Sequence, residues 1–390
     1  MGNSEVVFLY GPSWDAPARL SKHHLACYWA RTRRVLYVES PPNPLSFYTR
    51  FEEARALWER YRQGPIEVTE QLFVHTYFYP LPFWGGSIGF GGRWVNKCNQ
   101  MIVRPQLSKR LQALDFNKPV LLVCSAHALP LVDHIPHRLL MYHCSDDFTA
   151  VPSFPASFDQ LERELIQRCD VVIATSDELR RAKENLNPSI VTVRNGVDFE
   201  HFSRTQTETE VAHELAGLPR PVVGYIGSVF RWIEQEWVSQ AARRLPTWSF
   251  VFIGPRQTNV SRLEALPNVH FLGPRPYNLL PKYLRGFDVA TVPFTSNQVT
   301  LRASPIKFYE YLAAGIPVVA TRLPDLEPLA EFAHLVTSAE EFTSALQQAV
   351  SQDTPESRQR RMKESRRHSW EARYVQLDAV IENIAGNRFR

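Results

Sequence analysis

The stretch Ser304-Pro305-Ile306-Lys307-Phe308-Tyr309-Glu310-Tyr311-Leu312-Ala313-Ala314-Gly315-Ile316-Pro317-Val318-Val319-Ala320 reads as a short helix delivered straight into a buried strand. Ser304 suits an N-cap, and Pro305 suits the first helical position, where its missing N–H costs nothing. Gly315 and Pro317 stop the helix, and residues 316–320 form the apolar, β-branched run of an inner strand. Lys307 is out of place by helix rules. A capping box would put Glu or Gln there, and a cation in the first turn opposes the helix dipole. An anion at that helix end would account for it, held by backbone N–H groups, dipole and ammonium together. Glu310 follows three residues later on the same face. A cation for phosphate and a carboxylate for vicinal hydroxyls suit a nucleoside diphosphate. An ordinary surface Lys–Glu pair is the other reading, and the helix alone does not separate the two.

The same rhythm runs through the whole chain. Strand patterns fall at 6–10, 35–38, 120–123, 139–142, 170–174 and 190–193, then at 222–226, 250–253, 269–272, 289–292, 317–320 and 334–336. Helical patterns lie between them, at 20–31, 95–114 and 158–168, then at 234–244, 277–285, 306–314 and 340–350. This alternation predicts an α/β protein with two doubly wound parallel sheets. The 390 residues fit two domains of about 180 each. The Asn195-Gly196 turn signal sets the boundary, giving domains at 1–195 and 196–369 and a closing helical segment at 370–390. One stretch breaks the rhythm. Residues 73–94 carry Tyr77, Phe78, Tyr79, Phe83, Trp84, Phe90 and Trp94 among prolines and glycines, and read as an irregular, aromatic loop.

A hydrophobic content of 44% and a charged content of 22% are those of a globular protein with sizeable cores. A net charge of +4 gives no reason to expect nucleic acid as a partner. Basic residues nevertheless cluster. Arg19, Lys22, Arg31, Arg33, Arg34, Arg50, Arg55, Arg60 and Arg62 form one group, and Arg358, Arg360, Arg361, Lys363, Arg366 and Arg367 form another. Solvated helix faces are one explanation, and contact with an anionic membrane is the other. The five cysteines are odd in number and widely spaced, which suits a reduced, cytoplasmic protein. No apolar run reaches the ~20 residues of a membrane span, so the expectation is a cytoplasmic protein, soluble or peripheral on the inner face of the membrane.

Phosphate-loop and metal signatures are missing. Gly89-Phe90-Gly91-Gly92 follows no strand, and the chain contains no GxxxxGK[ST]. The neighbours His23 and His24 point to different helix faces. No metal and no cofactor are expected. The strand-to-loop junctions carry more chemistry, because open parallel sheets bind ligands beyond their carboxyl ends. After the first strand comes Asp15-Ala16-Pro17-Ala18-Arg19, leading to His23. After 139–142 comes His143-Cys144-Ser145-Asp146-Asp147. Later junctions are Gly227-Ser228-Val229-Phe230-Arg231 and Gly273-Pro274-Arg275-Pro276-Tyr277. Asp146 or Asp147 could take a proton from a hydroxyl, or Ser-Asp-Asp could cap a helix. Arg231 could pair with phosphate or lie free on the surface. Arg275 and Tyr277 could flank a base or simply open a helix.

Taken in order, Asn195-Gly196-Val197-Asp198, Gly224-Tyr225-Ile226-Gly227, Phe252-Ile253-Gly254, Phe271-Leu272-Gly273 and residues 307–319 resemble the GT-B glycosyltransferases. The nearest likeness is to the group 1, GT4-like branch of bacterial polysaccharide synthesis. One position departs from that pattern: Arg302 stands where the branch places a Glu, eight residues before Glu310. The first half is similar to the xanthan-type glucuronosyltransferases through Asp15-Ala16-Pro17-Ala18-Arg19 and Ser145-Asp146. The resemblance implies two Rossmann-like domains facing a central cleft, with the C-terminal helix crossing back to the first. It implies a metal-independent hexosyltransferase that moves sugar from a nucleotide-sugar, a substrate and no cofactor, to a hydroxyl of a glycan or lipid-linked acceptor. Glu310 would hold the ribose, and Arg231 and Lys307 the diphosphate. Arg275 and Tyr277 would lie near the base, with Gly227 and Ser304 completing the donor site. Asp146 would be the catalytic base, and Asp15, Arg19 and His23 would meet the acceptor. A base at Asp146 favours inversion, whereas the GT4-like half leans toward retention. A nucleotide-sugar epimerase of the same fold and a non-catalytic binding subunit stand as alternatives.

Overall fold

Short runs of Val, Leu and Ile that can be buried on both faces become the inner strands of two separate sheets. The structure is a computed structural model that describes residues 5–16, 19–41, 51–81, 92–147 and 156–388. It divides into two compact units. The first comprises Met1–Ala16, Leu20–Val193 and Tyr374–Arg390, and the second Arg194–Arg373 with Pro17–Arg19.

The first unit holds β1 (Val6–Gly11), β2 (Val35–Glu39), β3 (Ile66–Thr69), β4 (Leu72–His75), β5 (Val120–Val123), β6 (Leu139–Cys144), β7 (Val171–Ala174) and β8 (Ile190–Thr192). Their order across the sheet is β3-β4-β2-β1-β5-β6-β7-β8. All neighbours are parallel except β3, which runs antiparallel to β4. Every residue of β1, β2, β5, β6 and β7 is buried. Each Val, Leu or Ile so buried contributes roughly 1.5–3 kcal/mol over leaving it exposed. Helices α1 (Ser21–Trp29), α2 (Phe51–Gln63), α3 (Gly92–Ala113), α4 (Ala156–Arg168) and α5 (Asp177–Lys183) connect them.

The second unit is built from β9 (Val222–Ile226), β10 (Ser249–Ile253), β11 (Val269–Gly273), β12 (Val289–Val292), β13 (Val318–Thr321) and β14 (His334–Val336). The order is β11-β10-β9-β12-β13-β14, parallel throughout. Strand order reverses direction between β1 and β5 in one sheet and between β9 and β12 in the other. Those are the points where doubly wound sheets open a crevice at their carboxyl edge. The helices that matter here are α6 (Phe199–Ser203), α7 (Gln235–Arg244), α8 (Ile306–Ala313), α9 (Ala339–Ser351), α10 (Pro355–Arg367) and α11 (Trp370–Arg388). The first turn of α11 is fixed in the second unit, where Arg373 donates to the Asn195 carbonyl at 3.2 Å. Further along, Tyr374 shares a hydrogen bond with Thr32 at 2.9 Å and Asp378 pairs with Arg33, both within the first unit.

Two expectations fail on physical grounds. The span 73–94 is not uniformly irregular. Its start lies in β4, which pairs in parallel with β2 from Val35↔Leu72 to Val38↔His75, and α3 begins at Gly92. The partner strand β3, Ile66-Glu67-Val68-Thr69, alternates over only four residues and is exposed at each, too short a pattern to announce the hairpin. Tyr77 and Tyr79 are buried in the core, while Phe83, Trp84 and Phe90 lie outside the described residues. The basic clusters are not simply solvated faces either. Lys22, Arg33, Arg60 and Arg361 are all buried. Arg60 donates to Glu39 at 2.5 Å, and Arg361 donates to the Gly315 carbonyl at 2.7 Å, closing the C-terminal end of α8.

Candidate functional site

In the second unit the carboxyl ends of β9, β10 and β11 all finish on glycine. The Gly227 N–H donates to Ile253 and the Gly254 N–H donates to Gly273, at 2.8 and 2.9 Å. Gly227 and Gly254 have φ of +145° and +143°, a region that side chains resist. Space demands glycine as well. A Cβ at Gly254 would lie 2.1 Å from the Gly227 oxygen, and one at Gly227 would lie 2.3 Å from Cε of Lys307. The lysine therefore lies directly over the bare backbone at the end of β9.

Helix α8 puts it there. Tyr311 is buried and its Oη accepts from the Ile226 N–H at 2.8 Å, which pins the helix against the last turn of β9. Lys307, one turn earlier on that face, carries its Nζ 5.5 Å from the centre of the Tyr225 ring. Pro305, not Ser304, occupies the cap position, and no side chain caps the helix. Ser304 stops one residue short because its carbonyl is taken by Asn195 Nδ2 at 2.7 Å. The open helix start and the Lys307 ammonium thus share one end of α8.

Glu310 is the carboxylate of the group. Burial pushes its pKa from 4.5 to about 7, the Lys307 charge pulls it back, and Asp198 pushes it up again. Tyr277 belongs to the same cluster. Burial raises its phenol first, and the charges of Glu310 and Asp198 raise it further. Its ring stacks on His201 with centroids 4.2 Å apart and planes 13° apart, and His201 Nε2 donates to its carbonyl at 2.9 Å. Asp198 itself caps α6, accepting from the His201 N–H. The sequence brought Asp198 forward only as part of a turn motif; its missed signal is an acid just after Asn-Gly that also opens a helix.

Two further donor candidates divide. Arg231 is exposed in the turn after β9, 5.7 Å from the Phe230 ring, where it can swing toward an anion. Arg275 is held by Glu214 at 3.0 Å and Tyr283 at 2.6 Å, and also donates to the Pro274 carbonyl. Its guanidinium clamps one helix to the loop, which occupies the group expected to stack on a base.

In the first unit the acidic pair after β6 separates cleanly. Asp147 is buried and lies 3.6 Å from Lys183, which also binds Glu162 at 2.7 Å. Tyr142 donates to the same Glu162 at 2.8 Å. Asp147 is therefore part of a buried structural network. Asp146, its neighbour, is partly exposed. The next described helix starts at Ala156, so neither carboxylate caps it. Lys22 of α1 faces Asp146 together with Cys124 and Cys144. Burial lowers its pKa, and those three groups raise it again. No spacing rule pointed to this neighbourhood of Lys22, because only the fold brings Cys124, Cys144 and Asp146 to it.

The acceptor candidates fare unevenly. His23 is buried with both ring nitrogens committed, Nδ1 accepting from the Leu20 N–H and Nε2 donating to the Ser13 carbonyl, each at 3.0 Å. It is the closing residue of a capping box on α1, which corrects its assignment to the acceptor. Asp15 is exposed and paired with Arg60. Arg60 and the buried Glu39, which also accepts from the Trp14 N–H at 2.6 Å, fix the loop that presents it. Arg19 is half-buried just ahead of α1, and Pro17 and Ala18 lie outside the described residues. Among the described residues, no group of three or more His, Cys, Asp or Glu side chains converges as a metal site.

Residues 220–352, which carry Gly227, Arg231, Tyr277, Lys307 and Glu310, match the family described as glycosyl transferases group 1. TuaH of Bacillus subtilis strain 168, named for a proposed glycosyltransferase role in teichuronic acid biosynthesis, is 30% identical over 202 residues. That match covers 47% of this chain and 51% of TuaH, so the chain spans about half the length of that relative. Among solved structures, HepE from Anabaena in complex with UDP and glucose aligns with a TM-score of 0.66 at 18% identity, over 97% of this chain and 99% of its own. Sucrose-phosphate synthase from Thermosynechococcus elongatus aligns at 0.69 with 14% identity, over 98% and 100%. An Escherichia coli protein bound to UDP-2-fluoro glucose does so at 0.69 with 12%, over 98% and 99%. The fold is that of the GT-B glycosyltransferases.

Proposed function

We propose that this chain is a group 1 glycosyltransferase that moves a sugar from a UDP-sugar to a hydroxyl of a glycan or lipid-linked glycan in cell-surface polysaccharide synthesis. The observation that carries the reading is Lys307 laid over the bare Gly227 backbone with Glu310 beside it, inside the stretch that matches the family. Lys307, Arg231 and the open start of α8 receive the diphosphate, whose charge builds as the sugar leaves. Glu310 accepts from the ribose hydroxyls, and Tyr277 lies against the base. UDP is the nucleotide because HepE and the Escherichia coli protein bind uridine nucleotides. Asp146 is the general base. It takes the acceptor hydroxyl proton as that oxygen attacks the anomeric carbon and the bond to the diphosphate breaks, giving inversion and free UDP.

Membrane contact, in this reading, comes through α3 rather than the aromatic loop. The helix carries Arg93, Lys97, Arg104, Lys109 and Arg110 and no acid, and it exposes Trp94, Met101 and Ile102. A basic helix with exposed aromatic and aliphatic side chains suits an anionic bilayer surface in the cytoplasm, where a lipid-linked acceptor resides. Among the described residues no helix is long and apolar enough to cross a membrane. The test is acceptor-dependent turnover. UDP release and a product heavier by one sugar must both require an acceptor; UDP release or epimer formation without one would overturn transfer.

A further inference from the structure

A cavity of about 570 Å³ in the first unit lies between the C-terminal turns of α2 and α3 and the end of β4. Its charged lining is of one sign. Arg62, Lys109 and Arg110 face it, and no Asp or Glu is among its lining residues. Cations do complement helix C-termini, and one per helix would serve that purpose. Three around a single hollow exceed it, and among the described residues no carboxylate lies within ion-pair distance of any of them.

A buried polar atom without a partner makes the cavity more than a basic surface. His75 lines it from the last position of β4, is 4% exposed, and its Nδ1 has no hydrogen-bond partner. Tyr77, 1% exposed and not itself a lining residue, packs its ring edge-on to His75 at 4.5 Å and holds the imidazole at the wall. The Arg110 charge acts on both. It helps burial to hold His75 down to about 4, so the imidazole is neutral at physiological pH. Gly64 turns the chain at φ +86°, and a Cβ there would stand 3.5 Å from Arg110 Nη2, so the guanidinium lies along bare backbone. Unsatisfied buried polar groups are costly and uncommon in native proteins. A neutral imidazole beside three cations matches a ligand with both a hydroxyl and an oxyanion.

We infer that this cavity binds a hydroxylated oxyanion, an acidic saccharide or a sugar phosphate, with the anion on Arg110 and its neighbours and a hydroxyl on His75. Its volume is that of a small-molecule site. The inference does not depend on the donor residues of the second unit. Calorimetry on the full chain with glucuronate, glucose 1-phosphate, glucose and inorganic phosphate tests it, with UDP affinity as the independent control. The expected result is saturable binding of glucuronate or glucose 1-phosphate at least tenfold tighter than of glucose or phosphate. Whichever of the two binds tells a carboxylate from a phosphate source. Arg110→Gln and the exposed pair Arg62→Gln/Lys109→Gln weaken it tenfold or more and leave UDP affinity unchanged. His75→Phe, checked for an unchanged melting temperature, loses the preference over inorganic phosphate. No saturable binding, equal binding of inorganic phosphate to the unaltered chain, or normal binding by the arginine and lysine variants would overturn the inference. Loss of UDP binding alone would count against the donor site and leave this one standing.

Discussion

Glu310→Gln is the change that separates a donor carboxylate from an ordinary buried acid. In the folded protein the group titrates at about 7 instead of 4.5. The sign follows from proton counting. Between those two values the folded state holds more protons than the unfolded chain, so stability falls as pH rises through the window. Above pH 7 the full penalty is present. A shift of that size corresponds to about 3 kcal/mol at 1.36 kcal/mol per unit, an upper value because the residue is partly exposed. Gln has the same shape and no charge. The variant should match the parent in stability near pH 4.5 and exceed it by up to about 3 kcal/mol at pH 8, read by urea unfolding. UDP binding should move the other way. If only the ionised carboxylate accepts from the ribose, the parent's apparent affinity falls roughly tenfold from pH 8 to pH 6, since about a tenth of Glu310 is ionised at pH 6. Calorimetry on the variant supplies the correction for protonation of UDP itself. A variant that is no more stable at pH 8, together with UDP affinity that is equal in both proteins, would refute the reasoning.

Other expectations follow from neighbouring residues. Lys307→Met should weaken UDP binding by about 1.5–3 kcal/mol by calorimetry, and should move the pH dependence of that binding upward because the charge that restrains Glu310 is gone. Asp146→Asn should lower turnover by ~10²–10⁴ while UDP affinity stays near normal; retention of most activity would remove it as the base. Asp147→Asn should instead act on stability, because it disturbs a buried pair with Lys183, and denaturation curves will show this before activity does. Anionic liposomes should float the protein at low salt and lose it as salt rises, and Trp94→Ser/Met101→Ser should abolish flotation; recovery indifferent to lipid charge and salt would dismiss α3 as the contact.

The parallel strands were legible because a strand buried on both faces has to be written as a continuous apolar run. Residues 222–226 or 120–123 admit little else. The hairpin of β3 and β4 was hidden for the converse reason. An edge strand of four residues, exposed at each, alternates too briefly to be read, and Phe73 of its partner looked like part of an aromatic loop. Glu39 and Arg60 show a second limit. Each is an unremarkable charge in sequence, yet together they fix the loop after β1, because the fold brings residues 21 apart into a buried 2.5 Å contact.

The candidate site divides along the same line. Lys307 could be singled out because it breaks a local rule: a cation stands where the dipole wants an acid, and a local violation can be read from neighbours alone. Gly227 could be noted as the end of a strand, but its reason, a lysine 2.3 Å from where its Cβ would be, exists only once α8 is docked. Asp198 and Lys22 were named only within a turn motif and a basic cluster, because each is locally well behaved, one as a helix cap and one as a lysine on a helix. His23 misled for the opposite reason. A histidine after a strand-end loop looks available, and only the two bonds at 3.0 Å show that its nitrogens are spent on holding α1 in place. Residues whose function opposes their local structure are thus visible in sequence. Those whose function coincides with it appear only when the strands that surround them end in the same place.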